Sequence, residues 1–383
     1  MPSPSIAWLR AVSDIVLIGG FLTAITLPAM DVAFTLDPAP ILTENRTLQP
    51  GIAGDARHGV DFARVFEMWW NDRLGFRRSL VAGHHLLKLS LGQSPVSSVR
   101  LGLDGWLFLA DGELPAAHQL PTPFSPEELA AWEHEISARQ RWLADRGIHF
   151  LLVVAPNKAW IYGEFLAGAG SRGRPAGRLD QLLERLAQHP EIDVVDPREA
   201  LRRGKAAGAV YSRTDTHWTD RGAWIVSREI VTRLAVRFPG LSSIPWSAID
   251  SAREGGWSGD LARMLSLSWH LQEPREMLRF RDPPTARPVD STRFAEGPDQ
   301  RITATERPGS GLPRVVMFHD SFGVSLEPFL SESFGRIVYA SGLREGFGNF
   351  DESMVKEERC KVVIQEIAGR FLVRPLPGAR QTP

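Results

Sequence analysis

Asp215 and His217 lie two positions apart in the stretch "SRTDTHWTDRGAW" (212–224), just before a helix-like pattern. Histidine works best as a general base when a carboxylate fixes its tautomer and stabilises the imidazolium form. Alternate residues of an extended segment point to the same side, so the carboxylate can reach Nδ1 while Nε2 faces outward. The pair is therefore a candidate catalytic base. The alternative interpretation is a polar helix start that contains a histidine.

A candidate nucleophile, Ser321, lies in the stretch "RVVMFHDSFGVSLEPFL" (314–330). It follows a buried-strand pattern, and ligands of open α/β sheets bind beyond the carboxyl ends of the strands. Its backbone N–H points, with the following helix N-terminus, toward negative charge that develops during a reaction. A serine becomes nucleophilic when a nearby base removes its proton, which makes Asp215, His217 and Ser321 candidates for an acyl-transfer triad. The alternative is that Ser321 only caps the helix.

The elements that must position these residues alternate between helix and strand from Ser125 onward. Ser125 and Glu128 predict a capping box, and Thr219 predicts the cap of a helix that ends near Phe238. Continuous apolar runs predict strands that are buried on both faces. These runs cover residues 148–155, 192–196, 314–318, 336–340 and 361–365. Strands separated by crossovers predict an α/β fold, a mostly parallel sheet flanked by helices, with a proline-rich insertion at about 270–312.

The N-terminal part of the chain predicts a membrane segment. Residues 15–30 are uncharged and mostly apolar, follow Arg10, and extend through Phe34 to approach the length of a span. We expect an uncleaved signal anchor over residues 1–35, with a cleaved signal peptide or a buried helix as alternatives. In both membrane interpretations the bulk of the chain lies outside the cytoplasm. The other expected regions are a linker with amphipathic helices (36–100), the catalytic domain (101–375) and a C-terminal tail (376–383).

Composition excludes several classes of function. The 383 residues include 44 Lys and Arg against 45 Asp and Glu, and the resulting net charge of -1 gives no basic field for nucleic acid. A polyanionic substrate would need a local basic patch. Cys360 is the only cysteine, which excludes an internal disulfide framework and any zinc or iron–sulfur site built from cysteines.

The two motifs "TDTHWTDRGA" and "HDSFG" together resemble the SGNH-hydrolase-like proteins of alginate O-acetylation, the AlgJ/AlgX group. Six further segments resemble that family in the same order: "ENRTLQP" (44–50), "FEMWWNDRLGFR" (66–77), "GLDGWLFL" (102–109), "APNKAWIYGE" (155–164), "SGDLARML" (258–265) and "IQEIAGRFL" (364–372). The resemblance implies a permuted SGNH-like fold in which Ser321 is the nucleophile, His217 the base and Asp215 its orienting carboxylate. Ordinary SGNH enzymes have glycine before the Asp-Ser pair, whereas this chain has His319.

In the permuted topology the loops that follow the runs 336–340 and 361–365 adjoin the serine. This placement nominates Gly342 and Arg370 as oxyanion-binding residues beside the N–H of Ser321, with Glu366 as an orienting residue. Structural roles for a loop glycine and for an Arg–Glu pair are the alternatives.

Three further residues are candidates for substrate binding. Tyr211 and Trp218 flank the Asp-His pair and are predicted either to line an acceptor-sugar cleft or to pack in the core. Asn157 and the next residue, Lys158, follow a strand and lie at the active end of the sheet. Asn157 has a turn cap as its alternative role.

The resemblance implies an extracytoplasmic O-acetyltransferase that passes acetyl from Ser321 to hydroxyls of an exopolysaccharide such as alginate, at the periplasmic face of the bacterial inner membrane. It also implies a membrane-bound O-acyltransferase as the partner that supplies acetyl groups, and no cofactor. Three alternatives remain: an acetylesterase that uses the same triad, a non-catalytic polysaccharide-binding scaffold, and a metal site built from Asp215, His217, His319 and Asp320.

Overall fold

A computed structural model describes residues 4–37, 49, 59–110, 123–166, 177–291, 294, 300–342, 346–374 and 376 of the chain. Internal contacts divide the chain into two units. The smaller comprises Met1–Val96 and Ala262–His270, and the larger comprises Ser97–Leu261 and Leu271–Pro383. The larger unit contains all the candidate catalytic residues.

Helices and strands alternate through most of the larger unit. The helices are α1 (Pro4–Phe34), α2 (Gly59–Arg73), α3 (Arg77–Ser90), α4 (Pro126–Ala144), α5 (Lys158–Ile161), α6 (Arg178–Leu186), α7 (Arg198–Gly204), α8 (Asp220–Ala235), α9 (Asp260–Met264), α10 (Glu327–Ser331) and α11 (Glu352–Glu358). The strands are β1 (Val99–Leu101), β2 (Leu107–Leu109), β3 (His149–Ala155), β4 (Asp193–Val195), β5 (Ile249–Trp257), β6 (Glu273–Phe280), β7 (Arg287–Val289), β8 (Gln300–Glu306), β9 (Arg314–His319), β10 (Arg336–Gly342) and β11 (Val362–Ala368).

The main sheet has seven strands in the order β4-β3-β11-β9-β10-β8-β7. The five strands from β4 to β10 run parallel, and β8 and β7 add to one edge in antiparallel fashion. The predicted mostly parallel sheet flanked by helices is therefore confirmed. Part of the expected insertion at 270–312 forms β7 and β8 and extends this sheet, while β6 pairs with β5 in a separate hairpin.

The core lies on both faces of the sheet because the central strands are buried on both sides. In β3, Leu151 and Val153 face one hydrophobic cluster, whereas Leu152 and Val154 face the other. All four side chains are fully buried, and burial of a side chain of this size contributes about 2 kcal/mol. Alternate residues of one strand thus fix both helical layers, which explains the continuous apolar runs in the sequence.

The predicted helix caps are present. The Ser125 side chain accepts a hydrogen bond from the N–H of Glu128, whose carboxylate accepts from the N–H of Ser125, so the capping box of α4 is complete. Thr219 caps α8 by accepting from the N–H of Gly222, and its own N–H and hydroxyl bond the carbonyls of residues 210 and 209. The start of α8 is therefore held firmly beside the segment that carries Asp215 and His217.

In the smaller unit, α1 contains a segment long and apolar enough to cross a membrane. This segment, Trp8–Phe34, has 27 residues, a mean hydropathy of 1.9 and no burial, contrary to the alternative of a buried helix. At 1.5 Å per residue it measures about 40 Å, more than the roughly 30 Å of a bilayer core. Near its end, the Asp31 carboxylate accepts hydrogen bonds from the N–H groups of Asp37 and Phe76, at 2.6 and 2.8 Å. These bonds tie α1 to the start of α3.

Some predicted regions lie outside the described residues. They are most of the linker and of the segment 44–50, residues 292–293 and 295–299 of the insertion, and residues 377–383 of the tail.

Candidate active site

Ser321 leaves the sheet between the ends of the two strands that the sequence placed beside it. Strand β9 lies between β10 and β11, and the turn begins at Asp320. The Asp320 carboxylate accepts the N–H of Phe322 at 2.9 Å and the N–H of Ala368, at the end of β11, at 2.6 Å. These two bonds hold the nucleophile turn against the neighbouring strand.

His217 lies between the serine and a carboxylate. Its Nε2 is 2.8 Å from Oγ of Ser321, and its Nδ1 is 2.7 Å from Oδ1 of Asp215. Because ionised Asp215 can only accept, Nδ1 carries the proton and Nε2 can accept the serine proton. The structure therefore brings together the three residues that the sequence nominated. The Ser321 hydroxyl faces the histidine instead of capping the following short helix.

The backbone of the Asp-His pair differs from the extended segment that the sequence analysis assumed. The N–H of His217 donates to Oδ1 of Asp215 at 2.8 Å, which closes a tight turn. A single bridge, between Tyr211 and Trp218, closes the loop 212–217 that contains this turn. The carboxylate thus reaches Nδ1 by folding back over its own backbone, an Asx turn, and not by alternation along a strand.

Asp215 is ionised at neutral pH. Burial alone would raise the pKa of Asp215, but its hydrogen bonds to His217 and the charge of that ring, together with the N–H of Asp260, outweigh burial. They lower the pKa to about 2. The N–H of Asp260 donates to Oδ2 of Asp215 at 2.9 Å, so both carboxylate oxygens have donors.

Asp260 is a second carboxylate beside the same histidine, and sequence reasoning missed it. Its Oδ1 accepts the N–H of Thr216 at 2.7 Å and its Oδ2 accepts the Thr216 hydroxyl at 2.5 Å. Oδ2 also lies 3.6 Å from Nδ1 of His217. The only signal in the sequence was its position in the family-like segment "SGDLARML".

The geometry gives one cluster that could hold a metal ion within the part of the chain described. Ligand atoms of Asp215, His217 and Asp260 lie within 4.8 Å of one another. The alternative metal set of Asp215, His217, His319 and Asp320 does not come together in the structure. Both oxygens of Asp320 accept backbone N–H groups, and His319 is fully buried with its Nδ1 donating to the carbonyl of Asp320.

Lys158 and Glu273 hold the loop 212–217 from outside. The Lys158 ammonium is buried and donates to the carbonyls of Ser212, Arg213 and Asp215, at 3.0, 3.1 and 2.6 Å. The Glu273 carboxylate accepts the N–H groups of residues 213 and 214, at 3.0 and 2.8 Å. Burial lowers the pKa of Lys158 to about 7, against the opposing charges of residues 215, 260 and 273.

Arg370 reaches the serine and Glu366 lies behind it. Nη2 of Arg370 is 3.3 Å from Oγ of Ser321, and the guanidinium lies over the ring of Phe322, 5.3 Å from its centre. Glu366 is fully buried, and its Oε2 accepts the N–H of Asp320 at 3.1 Å. Burial, followed by the charge of Asp320, raises the pKa of Glu366 well above its ordinary 4.5, which favours the neutral carboxyl.

Gly342 and Asn157 take structural positions. Gly342 is the last residue of β10 and pairs with Gln300 of β8. A Cβ at Gly342 would lie 2.7 Å from that of Asn349, so the glycine permits close packing there, and its oxyanion role stays a prediction. Asn157 precedes α5 at the carboxyl end of β3, as predicted, but forms no side-chain cap.

Tyr211 and Trp218 belong to the core, which favours packing over the other predicted role of lining a sugar cleft. Tyr211 is 0% exposed and its hydroxyl donates to the carbonyl of Pro156. Trp218 is 4% exposed, donates from Nε1 to Ser325, and packs edge-on against Phe322 at 4.9 Å. Both rings pack against Phe322, the residue after Ser321, and neither is exposed enough to bind a ligand.

His319 occupies the position where ordinary SGNH enzymes have glycine, and a glycine elsewhere provides the space. A Cβ on Gly323 would lie 2.4 Å from the His319 ring. The turn therefore closes over the ring because residue 323, not residue 319, lacks a side chain. Burial lowers the pKa of His319, which favours the neutral ring.

Comparison with known proteins was consistent with this site. Residues 99–354 match the family model described as "SGNH hydrolase-like domain, acetyltransferase AlgX". A protein named "Probable alginate O-acetylase AlgJ" from Pseudomonas aeruginosa is 35% identical over 171 residues, which cover 44% of this chain and 41% of that protein. Its Pseudomonas putida namesake is 30% identical over 203 residues, covering 50% and 48%. The match thus spans less than half the length of either relative.

Among solved structures, Bacillus cereus PatB1 with a sulfonyl adduct superposes with a TM-score of 0.54 and 11% identity, over 73% of this chain and all of that one. At this identity the likeness shows the α/β fold alone. The family assignment rests on the matched region, which covers about two thirds of the sequence and includes Asp215, His217 and Ser321. This chain therefore belongs to the SGNH hydrolase-like family of the acetyltransferase AlgX.

Proposed function

We propose that this protein is an extracytoplasmic O-acetyltransferase that passes acetyl through Ser321 to hydroxyls of a polysaccharide. One observation carries the proposal: His217 bridges Ser321 and Asp215 with contacts of 2.8 and 2.7 Å inside the region that matches an acetyltransferase family. A serine, a base on its hydroxyl and a carboxylate on the base are the components of covalent acyl transfer.

In the first half-reaction, Oγ of Ser321 attacks the acetyl carbonyl carbon of a donor ester while Nε2 of His217 takes the hydroxyl proton. Asp215, which is ionised, stabilises the imidazolium that forms. The tetrahedral intermediate collapses with cleavage of the donor carbon–oxygen bond, and Nε2 returns the proton to the departing oxygen. The acetyl group then remains on Ser321 as an ester.

In the second half-reaction, Nε2 of His217 removes the proton of an acceptor hydroxyl, which attacks the acetyl-serine. Collapse breaks the bond to Oγ, and the proton returns from His217 to Ser321. A sugar hydroxyl as acceptor makes the enzyme a transferase, whereas water makes it an acetylesterase. The chemistry of the triad is the same in both cases.

The negative oxygen of both intermediates needs donors, and two are near. The N–H of Ser321 lies at the start of a turn whose other amides are held by Asp320. The Arg370 guanidinium, 3.3 Å from Oγ, brings a positive charge to the same place. Donors fixed in advance are worth most because they need no rearrangement as the charge develops.

The candidate span in α1 supports an anchored protein at the periplasmic face of the inner membrane. We propose that a membrane-bound O-acyltransferase supplies its acetyl groups, and that the acceptor is an exopolysaccharide such as alginate. The relatives named as probable alginate O-acetylases support this choice.

Acetyl transfer is tested with the full chain in detergent, 4-nitrophenyl acetate as donor, and intact-mass analysis. We expect a burst of nitrophenol and a protein heavier by one acetyl group, both lost in Ser321→Ala and both kept in Ser251→Ala, a serine exposed on β5. Acetylated oligosaccharide after addition of an acceptor identifies a transferase, and free acetate alone identifies an esterase. Equal rates of nitrophenol release by wild type and Ser321→Ala would contradict the proposal and favour a non-catalytic scaffold.

A further inference from the structure

Lys158 is a charged and buried group beside the site that the proposed mechanism does not use. Its ammonium is enclosed by the loop 212–217 and by the rings of Trp106 and Phe108, whose centres lie 5.6 and 5.3 Å away. Burying a charge in such surroundings is costly unless all its donors are satisfied. A buried cation with this cost calls for a function.

The number of donors on Lys158 matches the number of acceptors. An ammonium has three N–H groups, and three backbone carbonyls lie within hydrogen-bond distance, those of Ser212, Arg213 and Asp215. The shortest of these contacts, 2.6 Å, is to the carbonyl of Asp215 itself. Lys158 therefore binds the backbone of Asp215, the residue whose side chain orients His217.

We propose that the Lys158 ammonium is a positioning residue that keeps the Asp215 carboxylate on Nδ1 of His217. The proposal deepens the function proposed above and depends on it only for the activity readout. The carbonyl and the carboxylate belong to the same residue, so fixing the carbonyl of Asp215 restricts where its Oδ1, bonded to the N–H and Nδ1 of His217, can lie. Without the ammonium, the three carbonyls repel one another and the loop can relax.

The protonation state of Lys158 controls these three hydrogen bonds. A neutral amine has two N–H groups, so one of the three carbonyls loses its donor and faces the nitrogen lone pair. Burial brings the pKa of Lys158 down to about 7, while the facing charges of Asp215, Asp260 and Glu273 act to raise it. Positioning should therefore weaken as the pH rises through neutrality.

Stability responds to the same titration in the opposite direction. The pKa of Lys158 is about 7 in the folded state against an ordinary 10.5, so between these values the unfolded chain binds more protons. This group therefore adds to the free energy of unfolding as the pH rises from about 7 to about 10.5. This gain in stability follows from the pKa whatever the role of the lysine, so only the pH dependence of serine reactivity identifies a positioning residue.

The test compares Lys158→Met with Lys205→Met, a control lysine that donates to the carbonyl of Ile161 and to Glu164. The readout is the rate at which methanesulfonyl fluoride labels Ser321, followed by intact mass. In that reaction Oγ bonds sulfur, fluoride leaves, and His217 takes the proton. At about pH 6 we expect Lys158→Met to react on the order of tenfold to a hundredfold more slowly than wild type.

At about pH 9, where the Lys158 amine of wild type is neutral and Lys158→Met carries no charge at the same position, we expect the two rates to converge. The free energy of unfolding, measured in parallel, should change in favour of wild type over the same range. A folded Lys158→Met that reacts at the wild-type rate at pH 6, or a rate ratio that does not change with pH, would overturn the proposal.

Hydrogen–deuterium exchange of wild type covers the case in which Lys158→Met does not fold. Amides of residues 213, 214, 216 and 217, all bonded to carboxylates, should lose protection between about pH 6 and about pH 9 beyond the ordinary rise in exchange. Unchanged protection would contradict the proposal. This measurement needs no acetyl transfer, so a protein that exchanges as expected but transfers no acetyl refutes the proposed function and leaves the role of Lys158 standing.

Discussion

Oδ2 of Asp260 lies 3.6 Å from Nδ1 of His217, the ring nitrogen that also faces Asp215 at 2.7 Å. Two carboxylates therefore face one imidazole edge, and the nearer one is tied to the N–H of the farther at 2.9 Å. The imidazolium formed in the reaction feels both negative charges. Asp260 can thus act as a reserve partner for the ring.

A reserve partner predicts that the effect of Asp260 depends on Asp215. We expect Asp260→Asn alone to lower the rate of Ser321 acetylation by roughly threefold, because Asp215 still orients the ring. In an Asp215→Ala background, itself slower by on the order of a hundredfold or more, the same change should cost about tenfold. Stopped-flow release of nitrophenol from all four proteins gives the interaction term. Equal factors in the two backgrounds would show that Asp260 only supports the Thr216 backbone.

Residue types and order along the chain were enough to predict the sheet and the three residues that meet in the site. Buried runs specify strands, and polar residues that follow them lie at the carboxyl edge of the sheet. The permuted topology implied by the family resemblance then placed Ser321 beside the ends of β10 and β11. The prediction of an extended backbone at Asp215 is wrong. The N–H of His217 donates to the Asp215 side chain, and this hydrogen bond folds the backbone into a turn.

Lys158 and Asp260 could not be assigned a role from the sequence. Both residues contact the loop 212–217 although they lie far from it along the chain, and no local sequence pattern predicts such contacts. Tyr211 was ambiguous for a different reason. The same aromatic residue beside a catalytic pair can pack in the core or line a cleft. Only the complete burial of Tyr211 in the structure decides between the two.

Arg370 is expected to act on the transition state more than on binding. Its guanidinium is 3.3 Å from Oγ of Ser321 and rests near the rings of Phe322 and Phe371, 5.3 Å from each centre. Arg370→Met keeps the apolar stem and removes the charge, so kcat should fall by about a hundredfold with a small change in KM. The control is Arg228→Met, which removes an exposed arginine that lies over Trp224 at 4.8 Å. A rise in KM at constant kcat would instead assign Arg370 to substrate binding.

Glu366→Gln tests whether the buried carboxyl is neutral. Burial and Asp320 raise the pKa of Glu366 above its ordinary 4.5, so the folded state holds a proton that the unfolded chain releases. Wild-type stability from this group is full below pH 4.5 and is lost as the pH rises toward the raised pKa. Glutamine does not titrate. We therefore expect the free energy of unfolding of Glu366→Gln to increase relative to that of wild type as the pH rises from about 5 toward the raised pKa.

The readout for Glu366→Gln is chemical denaturation of both proteins over this pH range. A neutral amide also keeps an acceptor for the N–H of Asp320, so Ser321 labelling at pH 7 should stay close to the wild-type rate. A stability difference that is constant with pH would mean that Glu366 is ionised in the folded protein.

Gly259 is expected to be intolerant of any side chain because it lies against the backbone of Thr214 and the Cβ of Asp215. A Cβ there would lie 2.4 Å from the carbonyl oxygen of Thr214 and 2.5 Å from Cβ of Asp215. Backbone cannot yield as a flexible side chain does, so Gly259→Ala should displace Thr214 and Asp215 relative to the ring of His217. We expect a loss of roughly 1–3 kcal/mol in stability and, for a shift of about 1 Å, a hundredfold slower labelling of Ser321. Gly255→Ala is the matched control, since a Cβ at Gly255, on exposed β5, meets nothing within 4 Å. Thermal unfolding and labelling of both variants separate the two effects: if Gly259→Ala loses stability but labels as fast as Gly255→Ala, the position of Asp215 does not limit the reactivity of the serine.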